Sequence, residues 1–251
     1  MRRRLIAGNW KMHSTPDETE SFISRFLPLI RSAEADVAIF PPFTSLDRAG
    51  RLLRSSDVRL GAQDVYFEAK GAFTGAVSPG MLVACGCRYV LVGHSERRHT
   101  FGDDDPIVRR KLDATLSGGL DPVLCVGETI EERRAGATFD VLEAQLIAAL
   151  RKLPPDLFSR VVIAYEPVWA IGTGETATPE QAEEVSAWIR ARVGAAFGAP
   201  AAERIRILYG GSVKPDNARS LLTLPNVDGA LVGGASLDPE GFAAIISAGV
   251  R

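Results

Sequence analysis

Residues 161–174 read VVIAYEPVWAIGTG, and the rest of the chain can be interpreted outward from this stretch. Val161 to Tyr165 form an apolar run that predicts a buried β-strand ending at Glu166. Pro167 lacks a backbone N–H and has a fixed φ, so it cannot continue the hydrogen-bonded ladder of that strand. We therefore expect Glu166 to lie at the C-terminal end of a strand, where its side chain has a rigid support.

A lid is predicted directly after this glutamate. Residues 168–171, Val-Trp-Ala-Ile, are too apolar for a loop that remains in water, whereas Gly172, Thr173 and Gly174 are small. Glycines allow backbone N–H groups to approach an anion closely, as they do in phosphate-binding loops. The stretch therefore favours a general base beneath a closing lid. A solvated glutamate that begins a glycine-rich turn is the simpler alternative, and the Trp-Ala-Ile run argues against it.

Short apolar runs of the same kind recur along the chain and alternate with amphipathic stretches. Their length and their content of β-branched and aliphatic residues predict strands. The eight predicted strands are Leu5–Gly8, Val37–Phe40, Val58–Ala62, Tyr89–Val92, Pro122–Val126, Val161–Tyr165, Ile205–Tyr209 and Gly229–Val232.

Capping sequences mark several helix starts between these strands. Residues 15–18, Thr-Pro-Asp-Glu, offer an N-cap, a proline at the first helical position and a glutamate that can return the hydrogen bond. Residues 178–181, Thr-Pro-Glu-Gln, repeat the device, and residues 129–132, Thr-Ile-Glu-Glu, are a version without proline. Three- and four-residue spacing predicts one buried face on each of two helices. These faces comprise Phe22, Phe26 and Leu29 after Thr15, and Val185, Trp188, Ile189 and Val193 after Thr178.

Eight strands that alternate with helices in 251 residues predict an α/β fold of the (β/α)8 barrel type. No Pro/Ser-rich linker marks a boundary, so we expect residues 1–251 to form a single barrel domain. A doubly wound open sheet is the rival fold. It usually needs fewer strands, and the first strand–helix connection here lacks the GxGxxG motif of dinucleotide-binding sheets.

Composition limits the partners and the compartment. The chain has 29 basic and 31 acidic residues, which gives no electrostatic reason to expect nucleic acid or a membrane as partner. Only Leu5 to Gly8 follow the basic start Met1 to Arg4, too few for the apolar core of a signal peptide. Three cysteines, Cys85, Cys87 and Cys125, are best interpreted as free thiols in a reducing cytoplasm. With three scattered histidines and no CxxC pair, we expect no metal site.

In such a barrel, residues just past the strand C-termini share one face, so the chemistry collected there is informative. The motifs at these positions are GNWKM at residues 8–12, GHSERR at 93–98, the glutamate and lid at 166–174, YGGSV at 209–213 and GGAS at 233–236. Each glycine-rich turn is weak evidence when taken alone. Two of them after the last two strands predict a phosphate site built from backbone N–H groups.

Together with CVGE at 125–128 and GAFTGAVS at 71–78, these motifs resemble the triosephosphate isomerase family over nearly the whole chain. The sequence departs from the family pattern at three positions. Glu175 stands at the lid hinge where Lys is frequent, Asp64 stands in place of Asn, and Asp103 stands in place of Glu. The first puts the lid kinetics in doubt, and the other two affect expected interface hydrogen bonds.

The resemblance implies the interconversion of glyceraldehyde 3-phosphate and dihydroxyacetone phosphate, a step of glycolysis and gluconeogenesis, with no metal or other cofactor. It implies that Glu166 removes the proton, His94 donates a hydrogen bond to the developing oxyanion and Lys11 supplies positive charge. Asn9 would orient both of these groups and Glu96 would support them. The implied phosphate ligands are Asn9, Lys11 and the backbone of Gly172, Ser212, Gly233 and Gly234.

The resemblance also implies a homodimer formed through residues 64–79, with Thr74 close to Asn9 and Lys11 of the partner subunit. The connection after the third strand is long and is both apolar and Gly-rich at its centre, which agrees with an interface role. Two other functions are kept open. One is a barrel isomerase that acts on a larger sugar phosphate, and the other is a non-catalytic phosphosugar-binding barrel.

Overall fold

The computed structural model describes residues 2–172 and 176–249. Within them, eight parallel strands close into a barrel in which each strand pairs with the next along the chain and the last pairs with the first. The strands are β1 Leu5–Asn9, β2 Asp36–Phe40, β3 Arg59–Ala62, β4 Cys87–Val92, β5 Asp121–Val126, β6 Val162–Tyr165, β7 Arg206–Tyr209 and β8 Gly229–Val232. The predicted (β/α)8 barrel is confirmed.

Helices surround the barrel. Those in the described residues are α1 Pro16–Leu29, α2 Leu46–Leu53, α3 Pro79–Ala84, α4 Ser95–His99, α5 Asp105–Ser117, α6 Ile130–Arg134, α7 Thr138–Leu150, α8 Pro155–Phe158, α9 Pro179–Phe197, α10 Ala199–Arg204, α11 Ala218–Leu222 and α12 Pro239–Ala248. Short 3₁₀ turns cover Phe43–Ser45, Val168–Ala170 and Gly234–Ser236. Among the helices so described, none has the length and apolar content needed to cross a membrane.

The predicted strands and capping boxes are confirmed, with strand ends that differ by at most two residues. Reciprocal capping hydrogen bonds occur at Thr15, Thr129 and Thr178. The largest boundary difference is at β4, which begins at Cys87 and not at Tyr89 because Cys87 already pairs with Leu60 of β3. Arg88, which lies between Cys87 and Tyr89, is exposed, so an apolar pattern did not include this part of the strand.

Strand side chains alternate between two apolar layers, as the two-residue period of a strand requires. One layer fills the barrel interior and includes Leu5, Ala7 and Phe40. The other lies between the strands and the helices and includes Ile6 and Ile39. The predicted face of α9 is confirmed by its packing on this outer layer, where Trp188 is only partly buried.

The prediction for one residue of the buried α1 face, Leu29, is wrong. Phe22 and Phe26 are buried, but Leu29 is 45% exposed. Leu29 is the last residue of the helix, and Pro28 precedes it. The three- and four-residue spacing therefore continues one step past the part of the helix that is covered.

The connection between β3 and α3 covers residues 63–78 and contains no helix or strand. Its two ends are held together by the backbone N–H of Tyr66, which donates to the carbonyl of Val77 at 2.8 Å. Phe73 packs against the ring of Tyr66 with centroids 4.6 Å apart, yet it remains 41% exposed. The loop is thus folded on itself while it presents an aromatic side chain outward.

Candidate active site

The C-terminal ends of several strands surround a cavity of about 230 Å³. Eight of the nine predicted site residues line this cavity, namely Asn9, Lys11, His94, Glu166, Gly172, Ser212, Gly233 and Gly234. The ninth, Glu96, does not line it but forms an ion pair with Lys11, with Nζ and Oε1 2.7 Å apart. The volume lies below the roughly 300–1,000 Å³ of pockets for drug-sized ligands, so a small metabolite fits best.

Glu166 is a buried carboxylate, only 2% exposed, at the end of β6. Its Oε2 accepts a hydrogen bond from the backbone N–H of Ser95 at 2.8 Å, and its Oε1 lies 3.0 Å from Nε2 of His94. Two glycines make room for it. A Cβ on Gly210 would lie 2.8 Å from Cγ of Glu166, and a Cβ on Gly127 would lie 1.7 Å from its carbonyl oxygen.

His94 immediately precedes α4, and its hydrogen bonds determine its tautomer. The backbone N–H of Glu96 donates to Nδ1 of His94 at 3.2 Å, so Nδ1 carries a lone pair and no proton. The carboxylate of Glu96 is 3.8 Å from the same nitrogen, beyond hydrogen-bonding distance. The imidazole is therefore neutral, and its proton lies on Nε2, where it can be donated to Glu166 Oε1 or to a ligand.

Asn9 places a second donor beside this imidazole. Its Oδ1 accepts the backbone N–H of Lys11 at 3.1 Å, which leaves Nδ2 3.2 Å from His94 Nε2. Both nitrogens carry hydrogen, so neither accepts from the other. The two donors lie side by side at the cavity, an arrangement suited to an oxygen that gains negative charge.

The backbone of Lys11 has an unusual conformation, with φ at 53°. For a residue with a side chain this left-handed region costs roughly 1–2 kcal/mol, so it needs support. Asn9 accepts from the Lys11 N–H, and Nε2 of Gln63 donates to the Lys11 carbonyl at 2.8 Å. Gln63 was missed as a site residue, although it directly follows β3 and the strand-end rule could have found it.

Comparison with known proteins agrees with this geometry. Residues 4–249 match the family model described as triosephosphate isomerase. The chain belongs to the triosephosphate isomerase family. It is 49% identical over 248 residues to the triosephosphate isomerase of Geobacter metallireducens, a match that covers 98% of this chain and 99% of the relative. It is 51% identical over 247 residues to that of Chloroflexus aurantiacus, with 98% and 99% covered, and 47% identical over 251 residues to that of Carboxydothermus hydrogenoformans, with both chains fully covered.

In this member of the triosephosphate isomerase family, the first part of the predicted lid is hydrogen-bonded to a buried carboxylate, that of Glu128. Glu128 is fully buried, and its Oε1 accepts from Trp169 Nε1 at 3.0 Å, from Tyr165 Oη at 3.1 Å and from Arg133 Nη1 at 3.1 Å. Burial, and then the Glu128 charge, raises the pKa of Tyr165, so its hydroxyl stays protonated and keeps donating. The sequence identifies Glu128 only as part of the CVGE motif at residues 125–128, and its contact with the lid was not predicted.

The lid itself is described as far as Gly172. Ala170, Ile171 and Gly172 line the cavity, in agreement with a lid over the site. Thr173, Gly174 and the Glu175 hinge position lie outside the described residues. In the part of the chain that is described, no group of three or more His, Cys, Asp or Glu residues could hold a metal ion.

Proposed function

We propose that this protein interconverts D-glyceraldehyde 3-phosphate and dihydroxyacetone phosphate by proton transfer through an enediolate, and so serves glycolysis and gluconeogenesis. Membership of the triosephosphate isomerase family supports this reaction. The structural observation that carries it is the buried Glu166 carboxylate, whose Oε1 lies 3.0 Å from Nε2 of the neutral His94. A carboxylate base next to an uncharged hydrogen-bond donor is what proton removal beside a carbonyl requires.

In the proposed reaction, Glu166 takes a proton from the carbon beside the substrate carbonyl. The C–H electrons form the carbon–carbon double bond of the enediolate, and the carbonyl oxygen gains the negative charge. His94 Nε2–H donates to that oxygen in place of its bond to Glu166. His94 gives its Nε2 proton to that oxygen and takes the hydroxyl proton from the oxygen on the carbon that Glu166 deprotonated, where the new carbonyl forms. Glu166 returns a proton to the former carbonyl carbon, so the isomerisation ends without a net gain or loss of protons.

The other predicted residues support these two groups. Asn9 supplies a second N–H donor 3.2 Å from His94 Nε2, and Lys11 supplies positive charge at the cavity. Glu96 holds the Lys11 ammonium at 2.7 Å and its own backbone N–H fixes the tautomer of His94. Glu96 is thus proposed to act through Lys11 and His94 and not to touch the substrate.

We assign the phosphate to the backbone N–H groups of Gly172, Ser212, Gly233 and Gly234, all of which line the same cavity as Glu166. Gly234–Ser236 form a 3₁₀ turn, and the N-terminal ends of such turns present free N–H groups to anions. Small residues at these positions let the backbone approach the phosphate oxygens.

The non-catalytic phosphosugar-binding barrel is not favoured. A protein that only holds a phosphosugar has no use for a carboxylate that is 2% exposed and faces a neutral imidazole. Burying such a charge is costly unless it is hydrogen-bonded, and here the bonds come from Ser95 and His94. The arrangement is explained by the need for a reactive base.

We further propose that residues 1–251 form one domain, that the protein acts as a homodimer through residues 64–79, and that it works in the cytoplasm. Its three cysteines are free thiols, as a reducing compartment would leave them. The dimer proposal is supported by Phe73, which is 41% exposed at the centre of the long loop. Isolated aromatic residues on such loops are common anchors of protein interfaces.

The function is tested by assaying the wild-type protein and the Glu166→Gln variant with D-glyceraldehyde 3-phosphate. Glutamine keeps the volume of the side chain and removes the base, so kcat should fall about 100- to 10,000-fold. In deuterated water the wild type should incorporate solvent deuterium into the product, and the variant should not. Glu34→Gln, at an exposed glutamate, is the matched control. A wild type that binds the substrate without converting it would support the binding barrel instead.

A further inference from the structure

Lys214 is a second cation at the cavity, and no predicted role includes it. Lys214 lines the cavity together with Lys11 and Glu166, and its side chain is exposed. No ion pair or side-chain hydrogen bond of Lys214 occurs within the described part of the chain. Its position is nevertheless fixed at the backbone, because the Lys214 N–H donates to Asn217 Oδ1 at 2.8 Å.

The same asparagine connects Lys214 to the proposed phosphate loop. Asn217 Nδ2 donates to the carbonyl of Ser212 at 3.1 Å, so a single amide holds the backbone at both residues 212 and 214. The backbone from which the Lys214 side chain starts is therefore anchored beside a proposed phosphate ligand. Neighbouring Asp216 is exposed and does not pair with it.

The charges around the cavity explain why a second cation matters. Glu166 contributes one negative charge, and the positive charge of Lys11 is offset by Glu96, which lies 2.7 Å from its ammonium. His94 is neutral because the Glu96 N–H donates to its Nδ1. Without Lys214 these groups would carry a net charge of about −1, whereas a phosphate monoester carries about −1.5 to −2 near pH 7. These side chains alone would then offer the phosphate no net positive charge.

We propose that Lys214 is a substrate-binding residue that attracts and holds the phosphate dianion of the triose phosphate. This inference rests on the proposed function and adds to its phosphate site a charged side chain. Backbone N–H groups fix the geometry of the bound phosphate with partial charges only, while Lys214 supplies a full charge whose effect extends beyond contact distance. The solvated-surface interpretation of Lys214 predicts no effect on the substrate.

Removal of the ammonium should weaken binding more than chemistry. The reacting carbon is served by Glu166 and His94, so a phosphate contact made equally before and during the reaction raises KM and leaves kcat nearly unchanged. We expect Lys214→Met to lower kcat/KM for D-glyceraldehyde 3-phosphate by about three- to thirtyfold, which lies at the low end of electrostatic enhancement of association. The loss should shrink as ionic strength rises, because salt screens the charge.

The experiment compares Lys214→Met with Lys214→Arg, which keeps the charge, and with Lys152→Met. Lys152 is an exposed lysine that lines a different groove, between α7 and α9, and it serves as the matched control. Each protein is assayed with D-glyceraldehyde 3-phosphate and with D-glyceraldehyde, which lacks the phosphate. The inhibition constant of inorganic phosphate is measured in parallel, and direct binding of phosphate is measured by calorimetry.

The proposal expects Lys214→Met to lose activity on the phosphorylated substrate and affinity for inorganic phosphate, with unchanged slow turnover of D-glyceraldehyde. Lys214→Arg should keep both the activity on the phosphorylated substrate and the affinity for inorganic phosphate, and so should Lys152→Met. An equal loss on both substrates, or unchanged phosphate affinity, would overturn it. If the wild type isomerises neither substrate, the proposed function is wrong. The calorimetric comparison of phosphate binding then still tests whether Lys214 binds phosphate.

Discussion

Gln63 contributes to the site through a single amide nitrogen. Its Nε2 donates to the carbonyls of Lys11 and Phe40, each at 2.8 Å, and so ties the end of β2 to the strained lysine. Leucine at this position would fill similar space and donate nothing. We expect Gln63→Leu to let Lys11 leave its conformation at φ 53° and to lower kcat about tenfold or more, since misplaced groups lose much of their catalytic effect.

The check on Gln63 is the division of the effect between kcat, KM and stability. A positioning role predicts a lower kcat with a thermal midpoint that falls by only a few degrees, and partial recovery in Gln63→Asn if its shorter amide reaches one carbonyl. A variant that melts much earlier, with kcat unchanged at low temperature, would show that the amide serves the fold alone.

Cys87 gives a pH dependence of stability at the residue scale. Burial, and to a lesser extent the neighbouring Cys85, raises the pKa of Cys87 from 9.0 to about 12. The unfolded thiol loses its proton near its ordinary pKa while the folded thiol keeps it, so the folded state binds more protons between these values. Stability is therefore fully present below about pH 8.5 and declines as the pH rises toward 12, by at most about 1.4 kcal/mol per pH unit for this thiol.

Urea unfolding at several alkaline pH values measures this slope. Cys87→Ala removes the ionisable group, so its unfolding free energy should fall less steeply with pH than that of the wild type. Other raised groups, including Tyr209 at about 12, remain in both proteins and cancel in the difference. Parallel curves for the two proteins would contradict the prediction.

The strand-end rule placed the candidate residues on one face because that face depends on fold class, and the family resemblance implied which of them react. Asn9 ends β1, Lys11, His94 and Glu166 lie one or two residues past their strands, and all four line one cavity. The protonation state of His94 could not be predicted in this way, because it depends on the Glu96 N–H that turns toward Nδ1 at the start of α4. Lys214 was missed because an exposed lysine has no pattern of its own.

At the scale of elements, a buried lysine joins α5 to two loops. Lys111 is 3% exposed, and its Nζ lies 2.7 Å from Asp64 Oδ1 and 2.5 Å from Asp103 Oδ2. Arg97 also pairs with both aspartates, at 3.3 and 3.4 Å. Two of the three positions where the sequence departs from the family pattern therefore meet at one ammonium within the same chain.

Removing one partner of a buried ion pair leaves a charge without compensation, which costs about 3–5 kcal/mol. We expect Asp103→Ala to be destabilised by up to this amount, because Lys111 and Arg97 are left with Asp64 as their shared partner. Asp64→Asn should cost less, because its amide oxygen still accepts from Lys111 and because Asp64 is more exposed, at 19% against 6% for Asp103. Chemical unfolding of both variants and of the double variant measures the costs and their coupling. Equal and additive costs would show that Lys111 does not join the two aspartates.

The helices were predictable to the extent that their ends are encoded locally. Capping boxes at Thr15, Thr129 and Thr178 depend on residues three apart, so the sequence alone identified them. The predicted burial of Leu29 was wrong, because burial of this residue depends on where the helix leaves the barrel, which is a property of the packed molecule. The irregular loop 63–78 was identified by length, and its internal packing of Phe73 on Tyr66 was not.

On the scale of the whole molecule, closure of the barrel follows from strand count more than from any single residue. The pairing of β8 with β1 joins residues that are over 220 positions apart, and no local pattern indicates it. What the sequence provides is eight buried strands with helices between them, and a parallel sheet of this kind avoids exposed edges by closing. The C-terminal rim is then the shared surface on which both the site and the long loop lie.

Three exposed apolar residues lie in connections that follow strand C-termini. Met12 after β1 is 94% exposed, Phe73 after β3 is 41% exposed and Phe101 beyond α4 is 64% exposed. Large apolar side chains in neighbouring loops of one rim indicate a surface that is covered by another protein. Together with the family resemblance, this favours a second copy of the same chain, with the long loop as the contact.

The proposed dimer is tested with charges on this rim. Phe73→Asp and Phe101→Asp each place a carboxylate where an apolar contact is expected, and burial of an unpaired charge at an interface is costly. Ile147→Asp is the matched control, because Ile147 is 49% exposed on α7 and lines the groove between α7 and α9. Sedimentation over a range of concentrations should show dimers for the wild type and Ile147→Asp. Both rim variants should sediment as monomers, and their activity should increase with protein concentration if the partner's loop completes the site. Dimers that persist in both rim variants would show that the long loop is not the dimer contact. A wild type that is monomeric and fully active would show that the site is complete within one chain.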